Sequence, residues 1–125
     1  MDSWALGKLK KSEEIKAFVD IYNSPTYVND LCLGVKKVLG EDISGTFHLA
    51  GPTRMNRYEF LKILADSFGY DQKLIIPAES SSIEGDISRP KDTSLLSTVL
   101  ANRLDMQFSN IERGLKSLWE ASRNF

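Results

Sequence analysis

The stretch GTFHLAGPTRMNRYEFLKILADSFG, residues 45–69, decides the fold class, because its two halves carry different periods. In Thr46-Phe47-His48-Leu49-Ala50 the alternation sets Phe47 and Leu49 against His48, the two-residue period of a strand. Gly51-Pro52 ends that pattern. From Asn56 the period lengthens: Tyr58, Leu61, Leu64, Ala65 and Phe68 recur at three and four, the stripe of an amphipathic helix that stops near Gly69. Asn56 with Glu59 three residues later forms a capping-box pattern at its start. A strand feeding a helix is the unit from which α/β folds are assembled.

Upstream, residues 3 to 11 read as a short helix around Trp4, Leu6 and Leu9, and Ile15 to Val19 as a short strand. Ser24-Pro25-Thr26 breaks the chain before Val28, Leu31, Cys32, Val35, Val38 and Leu39, which mark one face of a second helix. Cys32 lies on that face, so burial as a small apolar residue is its expected fate. Gly40 to Gly45 ends the helix. Downstream, Leu74-Ile75-Ile76-Pro77 reads as a buried strand, and Glu79 to Ser88, rich in serine, glycine and acid, as a mobile loop. Leu95, Leu96, Val99 and Leu100 predict a helix capped by Asp92 or Thr93. Ser109 with Glu112 suggests a capping box for a last helix bearing Ile111, Leu115, Leu118 and Trp119. The expected whole is a single α/β domain over 1–125 with few short strands and several amphipathic helices. Two or three such strands make a poor sheet alone, so the reading is of a partial domain.

Bulk properties exclude several functions. A length of 125 residues supports one modest core. With 42 % hydrophobic and 26 % charged residues the composition is that of a soluble globular chain. Sixteen basic against seventeen acidic residues leave a net charge of -1, which offers no broad attraction for nucleic acid or anionic membrane. No run approaches the roughly 18 apolar residues of a membrane span. The single cysteine, Cys32, forbids an internal disulfide and suggests a cytoplasmic protein.

Few residues invite chemistry. Tyr58 and Lys62 have the Tyr-x-x-x-Lys spacing in which a lysine lowers a tyrosine pKa for proton exchange with a carbonyl. Tyr58 falls on an apolar stripe, however, and the chain has no Gly-rich strand-to-helix turn to hold a pyrophosphate, so a structural tyrosine is expected. His48, the only histidine, has no second histidine or further cysteine with which to share a metal, and reads as structural. Asp20, Asp30 and Glu59 are scattered carboxylates. The last two sit in first helical turns, where they favour the positive end of the helix dipole. Arg89, between the serine-rich loop and the next element, is the residue placed to pair bidentately with a phosphate, or else with Asp86 or Asp92.

Taken in order, SPTYVNDL (24–31), GTFHLAG (45–51), NRYEFLKILADSFG (56–69) and RPKDTSLLSTVL (89–100) resemble the carboxy-terminal half of the dTDP-4-dehydrorhamnose reductases, extended short-chain dehydrogenases. The similarity extends to a relative on the same fold, the regulatory beta subunit of methionine adenosyltransferase. The resemblance implies the substrate-binding part of an extended Rossmann-type reductase, with GTFHLAG adding a strand to the cofactor domain's sheet. It implies Arg89 near a substrate diphosphate, and Pro25 and Thr26 as the family's Pro-Thr step at the active-site cleft. It also implies NADPH or NADH for the complete enzyme, delivering hydride to a sugar C4 carbonyl. The family's glycine-rich fingerprint and catalytic tyrosine lie upstream of the residues present here, so no catalytic or cofactor-binding residue is expected in this chain, and no turnover by it alone. Where the family carries an aspartate and a lysine after the Arg-Pro step, this chain has Leu96 and Val99. The expected partners are a sugar nucleotide and either the missing amino-terminal half or a second copy in a homo-oligomer. The alternative is a regulatory module kept for protein contacts.

Overall fold

The computed structural model describes residues 3–82 and 90–122. Five helices, α1 (Ser3–Lys10), α2 (Val28–Gly40), α3 (Arg57–Ser67), α4 (Thr98–Arg103) and α5 (Ile111–Ser122), accompany four short strands, β1 (Ile15–Phe18), β2 (Tyr22–Asn23), β3 (Met55–Asn56) and β4 (Ile75–Ala78). β1 and β4 pair in parallel, Ile15 beside Ile75 and Phe18 beside Ala78. Ile15 and Ala17 alternate inward from β1, and with Ile75 they meet Ala5 and Leu9 of α1, Leu61, Leu64 and Ala65 of α3 and Leu115 of α5. This is the main core. Leu9, Ile15 and Leu64 are fully buried, each contributing about 1.5–3 kcal/mol. Phe68 and Trp119 close the seam between α3 and α5 with an edge-to-face contact at 4.9 Å.

The capping box at the start of α3 forms as its spacing predicts. The Glu59 amide donates to Asn56 Oδ1 at 2.8 Å, and the Asn56 amide to Glu59 Oε2 at 3.1 Å. Asn56 also pairs with Tyr22 across the antiparallel β2–β3 ribbon, so one residue fixes both the ribbon and the helix start.

Four expectations need correction. Thr46 to Ala50 is extended but joins no ladder among the described residues. Its alternation is real: Phe47 and Leu49 pack against a second, smaller cluster formed by Leu100, Leu104 and Met106, while His48 is exposed. Side chains hold its backbone in place of a neighbouring strand. Ser97 Oγ accepts from the Ala50 amide at 2.6 Å, and Thr26 Oγ1 from the Gly51 amide at 2.9 Å.

The helix expected from Asp92 or Thr93 starts only at Thr98. Residues 91–95 instead run alongside β2: the Tyr22 amide donates to Lys91 O, the Thr93 amide to Tyr22 O, and Ser24 Oγ accepts from the Leu95 amide. These longer-range bonds hold extended a segment whose apolar spacing suits a helix. The last helix is capped by Asn110, whose Oδ1 accepts from the Arg113 amide, and not by Ser109 with Glu112. Ser109 donates its amide to Asp30 Oδ2 at 2.6 Å, joining α5's entry to α2.

Cys32 is exposed. Of α2 only Gly34 is fully buried, against Leu49, and Val28, Leu31, Val35 and Leu39 remain open. Periodicity identifies an apolar stripe; it does not say what covers it. Leu96 and Val99, 83 % and 73 % exposed, are equally bare. Of the expected loop, Ser80–Ser82 forms a short 3-10 turn, and residues 83–89 lie outside the described part.

Two consequences are testable. A β-carbon on Gly51 would stand 2.0 Å from the carbonyl oxygen of Pro25, whereas one on Gly7, inside α1, would meet nothing within 4 Å. Gly51→Ala should therefore destabilise the chain by about 1–3 kcal/mol, and Gly7→Ala should stabilise it by about 0.5–1 kcal/mol, both read from urea unfolding.

Segment 90–95 is also held by charge. Lys91 donates to Asp20, and Ser80 adds its amide at 3.0 Å and its hydroxyl at 2.8 Å. The Lys91 hydrogen bond is the main reason Asp20 is lowered from 3.8 to about 2. Asp92 is likewise lowered to about 2, chiefly by Ser94 and then by Arg54. Because folding depresses both values, their contribution is complete above the ordinary 3.8 and is lost as pH falls through about 2. Amide NMR from pH 5 to pH 1.5 should show Ser80 and Lys91 responding near pH 2, a response absent from Asp20→Asn. A wild-type midpoint at 3.8 would show that the network does not form in solution.

Candidate functional site

Two clefts meet at Pro25 and Phe60, which line both. The first, of about 240 Å³, is polar: Asn23, Ser24, Arg57 and Thr93 face it together with Leu95. The second, of about 250 Å³, is mostly apolar and lies between the chain entering α2, at Thr26, Tyr27 and Val28, and Ile111, Leu115 and Leu118 of α5.

Their shared floor is cross-linked. Ser24 Oγ accepts from the Leu95 amide at 3.1 Å and lies 3.3 Å from Leu95 O, to which it donates. Thr93 Oγ1 donates to Tyr22 O at 3.3 Å. Thr26 Oγ1 donates to Ser24 O at 3.0 Å while accepting from Gly51. Packing against Gly114 narrows the apolar cleft: a β-carbon there would lie 3.3 Å from Tyr27 Cβ. At the end of β2, the Arg54 guanidinium stacks 3.7 Å from the centre of the Tyr22 ring and its Nε pairs with Asp92 Oδ2 at 2.7 Å. That charge is therefore matched.

The structure brings Pro25 and Thr26 to the clefts, Pro25 as the common wall and Thr26 as a member of the apolar one. The Thr26 hydroxyl is engaged in shaping the loop, with one lone pair left over. Arg89 lies outside the described residues. Tyr58 packs on the main core, with Lys62 Nζ 5.5 Å from its ring centre, and lines neither cleft. Asp20 and Asp30 are fastening groups, on Lys91 with Ser80 and on the Ser109 amide.

Arg57, Asn23, Ser24 and Thr93 are cleft residues that sequence reasoning passed over. The one available signal was Arg57 itself, a cation in the first turn of a helix, where acidic residues are favoured.

Among the described residues no three histidine, cysteine, aspartate or glutamate side chains converge as metal ligands. The β3-to-α3 turn is the place to look for a pyrophosphate cradle, and Asn56 already occupies the Glu59 amide there. Among the described residues that turn offers no glycine-rich cradle for a dinucleotide. Among the described residues the polar cleft offers hydrogen-bond donors, a cation and no carboxylate in its lining. Such a lining suits binding of an anion. Among the described residues no helix is long and apolar enough to cross a membrane.

Comparison with known proteins agrees with this geometry. Residues 4–124 match the family model for the RmlD substrate binding domain. The chain is 33 % identical over 101 residues to methionine adenosyltransferase 2 subunit beta of Mus musculus, covering 76 % of this chain and 30 % of that protein. A dTDP-4-dehydrorhamnose reductase from Bacillus anthracis, solved in complex with NADP, superposes with a TM-score of 0.79 at 25 % identity, over 94 % of this chain and 41 % of that one. An orthologous reductase from Clostridium acetobutylicum shares the fold at 23 % identity, with a TM-score of 0.83 over 95 % of this chain and 42 % of that one. The chain thus spans about a third of the curated relatives and about two-fifths of the solved reductases. It belongs to the RmlD substrate-binding-domain family, on the α/β fold of the extended Rossmann-type reductases.

Proposed function

We propose that this chain is the sugar-nucleotide binding region of a dTDP-4-dehydrorhamnose reductase-like protein, a partial domain that binds and orients its ligand and does not turn it over alone. The observation that carries the reading is the pair of clefts joined at Pro25, one polar with a cation and, among the described residues, no carboxylate, the other apolar. A nucleoside diphosphate sugar has that same division between anion and ring. In this reading Arg89 supplies a guanidinium to the diphosphate, a role supported by the fastening of Lys91, two residues on, to Asp20 and by Thr93 lining the polar cleft. Pro25 and Thr26 give the ligand a fixed wall, so the chain contributes orientation, a large share of the rate advantage in bimolecular reactions. Hydride transfer belongs to a nicotinamide cofactor, and no step through it is assigned to these residues. With a single cysteine, the chain is suited to a reducing compartment such as the cytoplasm.

A second reading rests on a different observation. The α2 stripe of Val28, Leu31, Val35 and Leu39 is exposed, and the relatives at 33 % identity are subunits of a methionine adenosyltransferase. A regulatory module that docks on protein, on the missing half or on a second copy, would use such a stripe. If the stripe drives self-association, Val35→Asp with Leu39→Asp should convert oligomer to monomer in sedimentation velocity without lowering the melting temperature. An unchanged distribution would remove the stripe from any self-contact.

Calorimetric titration with dTDP tests the first reading directly. The wild-type chain should bind saturably, and Arg89→Ala should weaken binding by roughly 1.5–3 kcal/mol, the contribution of a charge-assisted hydrogen bond. Equal binding by both proteins would take Arg89 out of the site, and no binding by the wild type would defeat the sugar-nucleotide reading.

A further inference from the structure

Arg57 is placed against the interest of its own helix. It is the first residue of α3, where a cation meets the positive end of the helix dipole. Nothing local compensates for this. Asn56 and Glu59 satisfy each other in the capping box, and Arg57 makes no hydrogen bond or ion pair among the described residues. Arg54, three residues earlier, shows the contrast, since Asp92 and the Tyr22 ring take up its charge. A residue that breaks a local rule with no structural return points to function.

Its surroundings indicate what that function is. Arg57 lines the polar cleft beside Asn23 and Thr93, and it also lines a separate, more apolar cleft of about 240 Å³ whose other walls include Trp4, Lys16, Phe18 and Leu61. Lys16 and Phe18 are on one face of β1, opposite the buried Ile15 and Ala17. Among the described residues neither lining contains a carboxylate. Arg57 thus lines both recesses, with Lys16 in the more apolar one and the neutral polar side chains of Asn23, Ser24 and Thr93 in the other. A planar fork of N–H groups in that position matches phosphate oxygens two at a time.

We infer that Arg57 is an anion anchor of the groove, seating the phosphates of a phosphate-bearing small molecule at the junction of the two clefts, with Lys16 as its supporting cation. The inference rests on the sugar-nucleotide reading for the identity of the ligand, and it assigns to Arg57 a contact separate from that proposed for Arg89.

The test is a titration of the full chain with inorganic pyrophosphate and, separately, with dTDP, followed by amide NMR, on wild type, Arg57→Gln, Arg57→Lys and Lys16→Gln. Arg57→Gln should weaken both ligands at least tenfold, Arg57→Lys should restore part of the loss, and Lys16→Gln should have a smaller effect. Because the arginine opposes the helix dipole, Arg57→Gln should melt at the same temperature as wild type or higher, which a structural arginine would not do. Undiminished dTDP binding by Arg57→Gln would overturn the inference and leave the sugar-nucleotide reading intact. Failure of wild type to bind either ligand would remove both. Loss of binding together with a lowered melting temperature would mark Arg57 as structural and also overturn the inference.

Discussion

The carbonyl oxygen of Pro25 occupies the place where any side chain on residue 51 would begin. That contact is possible only because residue 51 is glycine, and much of the site depends on it. The Gly51 amide reaches Thr26 Oγ1, the same hydroxyl donates to Ser24 O, and one residue earlier Ala50 donates to Ser97 at the entry to α4. Three distant stretches of chain are thereby fixed around one turn: the Pro-Thr step, the extended segment 46–50 and the start of α4. Pro25, in that same turn, lines both the polar cleft and the apolar one.

Fastening by side chains takes the place of a sheet. The parallel pair β1–β4 has only two strands and the β2–β3 ribbon two residues on each side, too little ladder to be stable without packed helices. Stability is concentrated where α1, α3 and α5 cover β1 and β4. Around the clefts it comes from single bonds of Ser24, Thr26, Ser97 and Asp30 to backbone amides. Each satisfies a backbone group that a sheet neighbour would otherwise satisfy. This division separates a packed body from a cleft region held by hydrogen bonds, and such regions open at lower free energy than the core.

Sequence reasoning succeeded where the deciding interactions are local. The Asn56–Glu59 capping box, the stripes of α3 and α5 and the apolar strands at Ile15 and Ile75 all depend on residues within a few positions of one another. It failed where distant partners decide. Leu95, Leu96, Val99 and Leu100 have helical spacing, yet Ser24, 71 residues away, holds Leu95 extended. Thr46 to Ala50 has strand alternation, yet no strand among the described residues lies beside it. Cys32 lies on an apolar stripe, as its spacing predicts, and is exposed nonetheless. The resemblance to the reductases drew attention to Pro25 and Thr26, which no local pattern would have singled out. It did not point to Arg57, whose position becomes informative only once the two clefts beside it are known.

The distribution of exposed surface bears on what kind of molecule this is. A chain with a settled core does not usually leave whole stripes of leucine and valine in water, and here two regions do so, along α2 and at Leu96 and Val99 near α4. Apolar groups at such exposed positions add nothing to this chain's own core, and leaving them in water forgoes about 25 cal/mol for each Å² of apolar surface. The cleft residues show the opposite economy: the hydroxyls of Ser24, Thr26 and Thr93 are engaged, while Arg57 has no partner among the described residues. The polar groups gather around Pro25, and the uncovered apolar groups lie along α2 and at Leu96 and Val99, with Val28 common to the α2 stripe and the apolar cleft. On that plan a small anionic ligand in the polar cleft and a larger partner along α2 use different residues, and only the apolar cleft, through Val28, is shared with the stripe.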